Sequence, residues 1–214
     1  MPIKPSWRGP KHTDTLLIMF YRLVIKMKKM TLLASLIMTM GATSMAHAAS
    51  TGTINFTGQI TDTTCTVTVN GGSGADGTVA LPTVGTAALT TAAQTAGTVN
   101  FHLTLTDCTA ADGMTSGTVF YESGATVNGT TGNLIQQTAQ ADGGATNVEL
   151  QLLDGKTGSA IKVGDSSQLT SNSYVTLPAV GGSIDIPYSV QYYATGATTA
   201  GPVTSSVEYS ISYK

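Results

Sequence analysis

Residues 184–192 read Ile184-Asp185-Ile186-Pro187-Tyr188-Ser189-Val190-Gln191-Tyr192, with an apolar or aromatic residue at every even position. Successive side chains of a strand leave the backbone on opposite sides, so this alternation predicts a strand with one buried face. The same period recurs in Val99, Phe101, Leu103 and Leu105, in Val148, Leu150 and Leu152, and in Val207, Tyr209, Ile211 and Tyr213. Turn-forming clusters separate these runs, for example Asn70-Gly71-Gly72-Ser73-Gly74 and Asn128-Gly129-Thr130-Thr131-Gly132. The Ala-rich stretch from Ala87 to Ala96 reads as loop, and no segment carries a sustained helical period. Many short alternating strands predict an all-β sandwich.

Charge divides the chain of 214 residues into two parts. Seven of the ten basic residues, seven of the eight methionines and Trp7 lie before Ala49. From Ala49 onward there are three lysines, no arginine and 11 acidic residues, a net charge of −8. A nucleic-acid partner is therefore not expected, because phosphate binding needs clustered Lys and Arg. In the first part Met27-Lys28-Lys29-Met30 is a short basic region, followed by the apolar run Thr31 to Met40 and the small-residue site Ala46-His47-Ala48. This is the pattern of a secretory signal peptide over residues 27–48, with cleavage after Ala48. The apolar run is too short to span a bilayer comfortably. Residues 1–26 add a second apolar patch, Leu16 to Tyr21, that a signal peptide does not need; they read as a misassigned upstream start or an extended leader.

The exported part, residues 49–214, is long enough for one core and is not divided by a linker-like segment. Cys65 and Cys108 are its only cysteines. Export to an oxidising compartment makes them a disulfide rather than a metal pair or a nucleophile. Closing such a loop contributes about 4 kcal/mol in the chain-entropy account. Neither a Gly-x-Ser-x-Gly elbow, a His-Glu-x-x-His helix nor a phosphate-binding glycine loop occurs. His102 has no second His or free Cys to work with. Asp154 and Asp165 fall in turns, where Asp bonds local backbone. No catalytic residue, metal ligand or cofactor site is expected.

Several ordered segments resemble the major pilins of chaperone-usher fimbriae, the type 1 fimbrial protein family. They are Phe56-Thr57-Gly58-Gln59-Ile60, Cys65-Thr66-Val67, Phe101 to Cys108, Asn147 to Asp154 and Gln191 to Gly196, together with Gly201 and the penultimate Tyr213. One departure is a short start, with only Ala49-Ser50-Thr51 ahead of Gly52. The resemblance implies an incomplete immunoglobulin-like β-sandwich lacking its last strand, which a neighbouring subunit completes with a donor strand. Such an open groove is an aggregation liability. In the family a periplasmic chaperone fills it first, and a subunit's N-terminal extension replaces the chaperone strand at an outer-membrane usher, a mode of β-augmentation.

On this resemblance, residues 49–64 are the donor-strand extension and 65–214 the pilin body. Gly52, Ile54, Phe56, Gly58 and Ile60 share one face of an extended strand, and form the plug. The alternation by itself favours an ordinary first strand of the same domain, and only the resemblance makes it a donor strand. Gly201, Val207, Tyr209, Ile211 and Tyr213 are the expected acceptor-groove and chaperone-contact residues, with Lys214 supplying the carboxylate that chaperones anchor. The expected partners are identical or related subunits, the chaperone and the usher, and the expected place is an extracellular fimbria of a Gram-negative bacterium that supports adhesion. A minor or tip-adaptor pilin is the alternative, and a secreted β-sandwich binding module a further one. A tip adhesin needs a second, lectin-like domain for which the exported part has no room. Intact mass of the exported protein is expected to start at Ala49 and to show no free thiol; two free thiols, or residues retained before Ala49, would contradict the leader argument.

Overall fold

The computed structural model describes residues 53–60, 64–109 and 113–214. The expected signal peptide, the segment before it, the expected cleavage site after Ala48, and Gly52 lie outside the described residues. Eight strands are present among the described residues: β1 (Thr64–Val69), β2 (Thr95–Thr109), β3 (Ser116–Tyr121), β4 (Leu134–Ile135), β5 (Val148–Asp154), β6 (Val175–Thr176), β7 (Ser183–Ala194) and β8 (Tyr209–Tyr213). They form a five-stranded sheet in the order β1-β2-β7-β5-β4 and a three-stranded sheet in the order β6-β3-β8. All pairings are antiparallel. Among the described residues the one α-helix, α1 (Gln168–Ser171), is a single turn.

The alternating runs form the strands they predict, and their apolar faces meet between the sheets. Phe101, Leu103 and Leu105 of β2 pair with Tyr188, Ile186 and Ile184 of β7. Leu150 and Leu152 of β5 lie opposite Tyr192 and Val190 on the other side of β7. Val119 and Tyr121 supply the facing layer from β3. Tyr188 packs tilted against Phe101, with ring centroids 5.8 Å apart, and edge-on against Tyr121 at 5.3 Å. The disulfide joins Cys65 to Cys108, as expected, and staples edge strand β1 to β2. The stretch from Ala87 to Ala96 differs in part from the loop expected of it. A single 3-10 turn, Thr86–Ala88, overlaps its start, and β2 already begins at Thr95, where Thr95 and Ala96 pair with Tyr193 and Tyr192.

A proline in a central strand needs explanation, because it cannot donate to a ladder. Pro187 lies opposite His102 of β2, at the level where β5 has ended. Its carbonyl points to the β5 side and accepts from Gly155 N–H at 3.0 Å, so the missing donor of Pro187 is on a side where no strand asks for it. Gly155 approaches so closely that an added Cβ would sit 2.5 Å from the Pro187 carbonyl carbon. A glycine is required there by space.

Asp154 ends β5, and its buried carboxylate organises two loops. It accepts from the N–H groups of Lys156 and Thr157 (each 2.9 Å) and Ser173 (2.6 Å), and from the Ser173 hydroxyl at 3.0 Å. Burial alone would raise its pKa; the donors at Ser173, Thr157 and Lys156 favour the charged form and leave it below the ordinary Asp value. A pKa depressed in the folded state gives stability that is complete above the unfolded value near about 4 and is lost as pH falls through the folded value. Asp154→Asn is therefore expected to lower unfolding free energy at neutral pH by about 1–3 kcal/mol and to flatten the dependence of the urea midpoint on pH below about 4. Equal pH dependence in the two proteins would contradict this role.

Candidate functional site: an open groove along the C-terminal edge

The edge strand β8 has its side chains and its main chain arranged by one register. Ser116 and Lys214 exchange hydrogen bonds, N–H to carbonyl in both directions, at 3.0 and 2.9 Å, and Glu122 N–H donates to the Glu208 carbonyl at 2.9 Å. In an antiparallel ladder such pairs recur at every second residue, so the even residues from Glu208 to Lys214 direct their main-chain groups at β3. The odd residues Tyr209, Ile211 and Tyr213 then direct theirs outward, to the free edge. The parity persists before the strand begins, since Ala145 and Gln137 N–H groups donate to the Pro202 and Thr204 carbonyls. Val203, Val207, Tyr209 and Ile211 also pack against the core.

A cavity of about 350 Å³ opens beside this edge and runs into the core. Its floor includes Phe101, Leu103, Tyr121, Leu150 and Val190, and its rims are Val207 and Tyr209 on one side and Ala75 to Leu81 on the other. A shallower continuation passes between Val67 of β1 and Val207 to Ile211. Val79 and Leu81 pack inward from an extended segment that belongs to neither sheet. The Tyr209 hydroxyl spans the gap, donating to the Ala75 carbonyl at 2.6 Å. Burial raises the pKa of Tyr209, with Asp76 adding to the effect, and that of Tyr213.

Of the terminal-strand residues named from sequence, Val207, Tyr209 and Ile211 border this groove, and two placements differ from those expected. Val207 is not part of a strand: β3 ends at Tyr121, so β8 loses its ladder partner and starts at Tyr209. Gly201 lies away from the deep cavity, against the backbone of Gly143–Ala145, where an added Cβ would overlap the Gly143 carbonyl oxygen. It borders a separate cavity of about 250 Å³ with Leu89 and Tyr192. At the chain end the Lys214 carbonyl accepts from Thr115 N–H and Ser116 N–H, and its ammonium sits 3.4 Å above the Tyr174 ring. Sequence reading missed Val79, Leu81 and Tyr121. The first two carry a faint alternation, Val79-Ala80-Leu81, that Pro82 cuts short.

Residues 53–60 are described separately and have no regular structure. Ile54, Phe56 and Ile60 are 77%, 89% and 97% exposed. Among the described residues no group of three or more His, Cys, Asp and Glu is placed to hold a metal. His102 is half-buried on β2 opposite Pro187, and Asp165 accepts from Ser167 N–H at 2.9 Å, the local bonding expected of a turn Asp.

Apolar side chains and a free main-chain edge on one disulfide-stapled sandwich define a protein built to contact other chains. The sequence model described as FimA, type-1 fimbrial protein, A, matches residues 81–214. The chain is 42% identical over 175 residues to the major fimbrial subunit SMF-1 of Stenotrophomonas maltophilia (strain K279a), an alignment covering 81% of this chain and 99% of that protein. It is 37% identical to the F17 fimbrial protein of Escherichia coli, over 81% and 93% of the two chains. The crystal structure of the P pilus rod subunit PapA superposes with a TM-score of 0.50 at 13% identity, covering 70% of this chain and 99% of that one, which supports the fold. The chain belongs to the type-1 fimbrial protein family, a family of structural proteins. It is a structural subunit of adhesive fimbriae, located outside the cell on Gram-negative bacteria, and its family assembles with other pilin subunits.

Proposed function

We propose that this chain polymerises by donating residues 49–64 to the open groove of an identical or related subunit. The observation that carries the reading is the coincidence of an apolar lining and outward main-chain groups on Tyr209, Ile211 and Tyr213. A strand laid along that edge gains a hydrogen-bond ladder and buries its inward face in the same step. Gly52, Ile54, Phe56, Gly58 and Ile60 form that face in the donor. Ile54, Phe56 and Ile60 are exposed in the single chain, and their burial contributes roughly 1.5–3 kcal/mol each.

An unfilled groove is an exposed apolar edge, so it requires cover before assembly. A periplasmic chaperone provides that cover and an outer-membrane usher directs its replacement, with the Lys214 carboxylate as the chaperone's anchor. Residues 27–48 act as the signal peptide and residues 65–214 as the pilin body. The protein acts by assembly and has no catalytic step. Gly201 serves this function through packing: its missing side chain lets the segment leading to Val203 lie on Gly143–Ala145.

Two experiments test the reading. Deleting residues 49–61 is expected to leave a subunit that co-purifies with its chaperone but forms no polymer, since the groove is kept and the plug removed. Rods of normal length from the deletion variant would exclude the donor role. Strand exchange with synthetic peptides covering residues 49–63 tests the register. Gly58→Val is expected to slow exchange at least about fivefold relative to Thr57→Val, because overpacking a fitted groove costs about 1–3 kcal/mol while an outward branched residue is tolerated. Equal rates would mean that the even-numbered face is not the inserted one.

A further inference from the structure

The groove beside β8 is crossed by a hydrogen bond. The Tyr209 hydroxyl reaches from the C-terminal rim to the far rim and donates to the Ala75 carbonyl at 2.6 Å. Ala75, Asp76, Val207 and Tyr209 border both the deep cavity and its shallower continuation, so the bond stands where the two meet. It is exposed to solvent, whereas the floor residues Leu103, Tyr121 and Leu150 are buried, so it crosses at the mouth. A strand paired with β8 would run about 4.8 Å from it, through the space that this bar occupies.

The far rim has the composition of a movable loop. Residues 70–77 include Gly71, Gly72, Gly74 and Gly77. The loop is fastened at both ends. Asn70 N–H donates to the His102 carbonyl and the Asn70 side-chain oxygen accepts from His102 N–H, each at 2.9 Å. Gly77 lies so close to Val69 that an added Cβ would overlap the valine side chain. Between these ends, from Ser73 to Asp76, the bond from Tyr209 is the hydrogen bond that holds the loop among the described residues. Burial and the nearby Asp76 raise the Tyr209 pKa, which keeps the phenol protonated and able to donate.

We infer that the Tyr209–Ala75 bond is a latch: it holds the Gly-rich loop across the mouth of the empty groove and opens to admit a strand. The inference deepens the strand-donation reading above and rests on it. Its effect is on rate. Uptake proceeds through the fraction of empty subunits whose latch is open, so the rate of uptake scales with that fraction. Once a strand is seated the bond is already broken, and removing the hydroxyl leaves the seated complex as it was.

The test mixes the exported subunit with an excess of labelled peptide covering residues 49–63 and reads uptake and release separately. Tyr209→Phe keeps the ring and removes the donor. It is expected to speed uptake about fivefold, the net effect of losing one ordinary hydrogen bond, with release unchanged. In the empty subunit the same variant is expected to be cut faster within residues 70–78 by a nonspecific protease, because an untethered loop is the easier substrate. Tyr174→Phe removes a similar bond, from a tyrosine hydroxyl to the Leu169 carbonyl at 3.2 Å, outside the groove, and is expected to change none of these rates. Uptake by Tyr209→Phe that is unchanged or slower, release that speeds as much as uptake, or unchanged cleavage of the loop would overturn the inference. An unmodified subunit that takes up no peptide would instead overturn the strand-donation reading on which it rests.

Discussion

The antiparallel register between β3 and β8 is the constraint on which the rest of the site depends. Once Lys214 exchanges hydrogen bonds with Ser116, every second residue back along the chain is committed to the sheet, and the residues between are committed to the open side. Side chains obey the same period, so Tyr209, Ile211 and Tyr213 present apolar or aromatic groups and unpaired main-chain groups together. A shift of one residue would send those side chains to solvent. The register is held at the chain end, where the Lys214 carbonyl accepts two N–H groups and its ammonium lies on Tyr174.

The body behind that edge has to stay in shape with a groove open beside its core. Three features serve this end. The Cys65–Cys108 bridge holds edge strand β1, which forms part of the far wall, to the long central strand β2. The buried Asp154 carboxylate gathers main-chain donors from two loops that no ladder could reach. Glu149 plays a similar part on the other side of β5, accepting from Asn128 (2.6 Å), Thr131 (2.9 Å) and Asn133 (3.0 Å), so that the turn at Gly129 is tied down onto the sheet. A sandwich with one edge missing thus relies on hydrogen bonds to buried carboxylates where a complete one would use strands.

On the strand-donation proposal, such an edge persists because a subunit whose neighbours complete it stores its association energy there, whereas a monomer would gain by closing it. The matched family region covers residues 81–214 and so contains the C-terminal wall of the groove, while Ile54, Phe56 and Ile60 precede it.

The sequence by itself determined the β class, the positions of the long strands and the pairing of the only two cysteines, because period-two alternation and cysteine count are local properties. It also set Val207, Tyr209, Ile211 and Tyr213 on one face. It did not determine where β8 begins, since that depends on β3 ending at Tyr121, nor that Gly201 packs on Gly143–Ala145 rather than in the deep cavity. Val79 and Leu81 were illegible as groove residues because a two-residue alternation before a proline carries almost no signal. Tyr121 looked like any core aromatic in sequence; only tertiary structure decided that its hydroxyl is buried without a partner beside the groove, because hydrogen-bond satisfaction is a property of what the fold brings together and not of the residue itself.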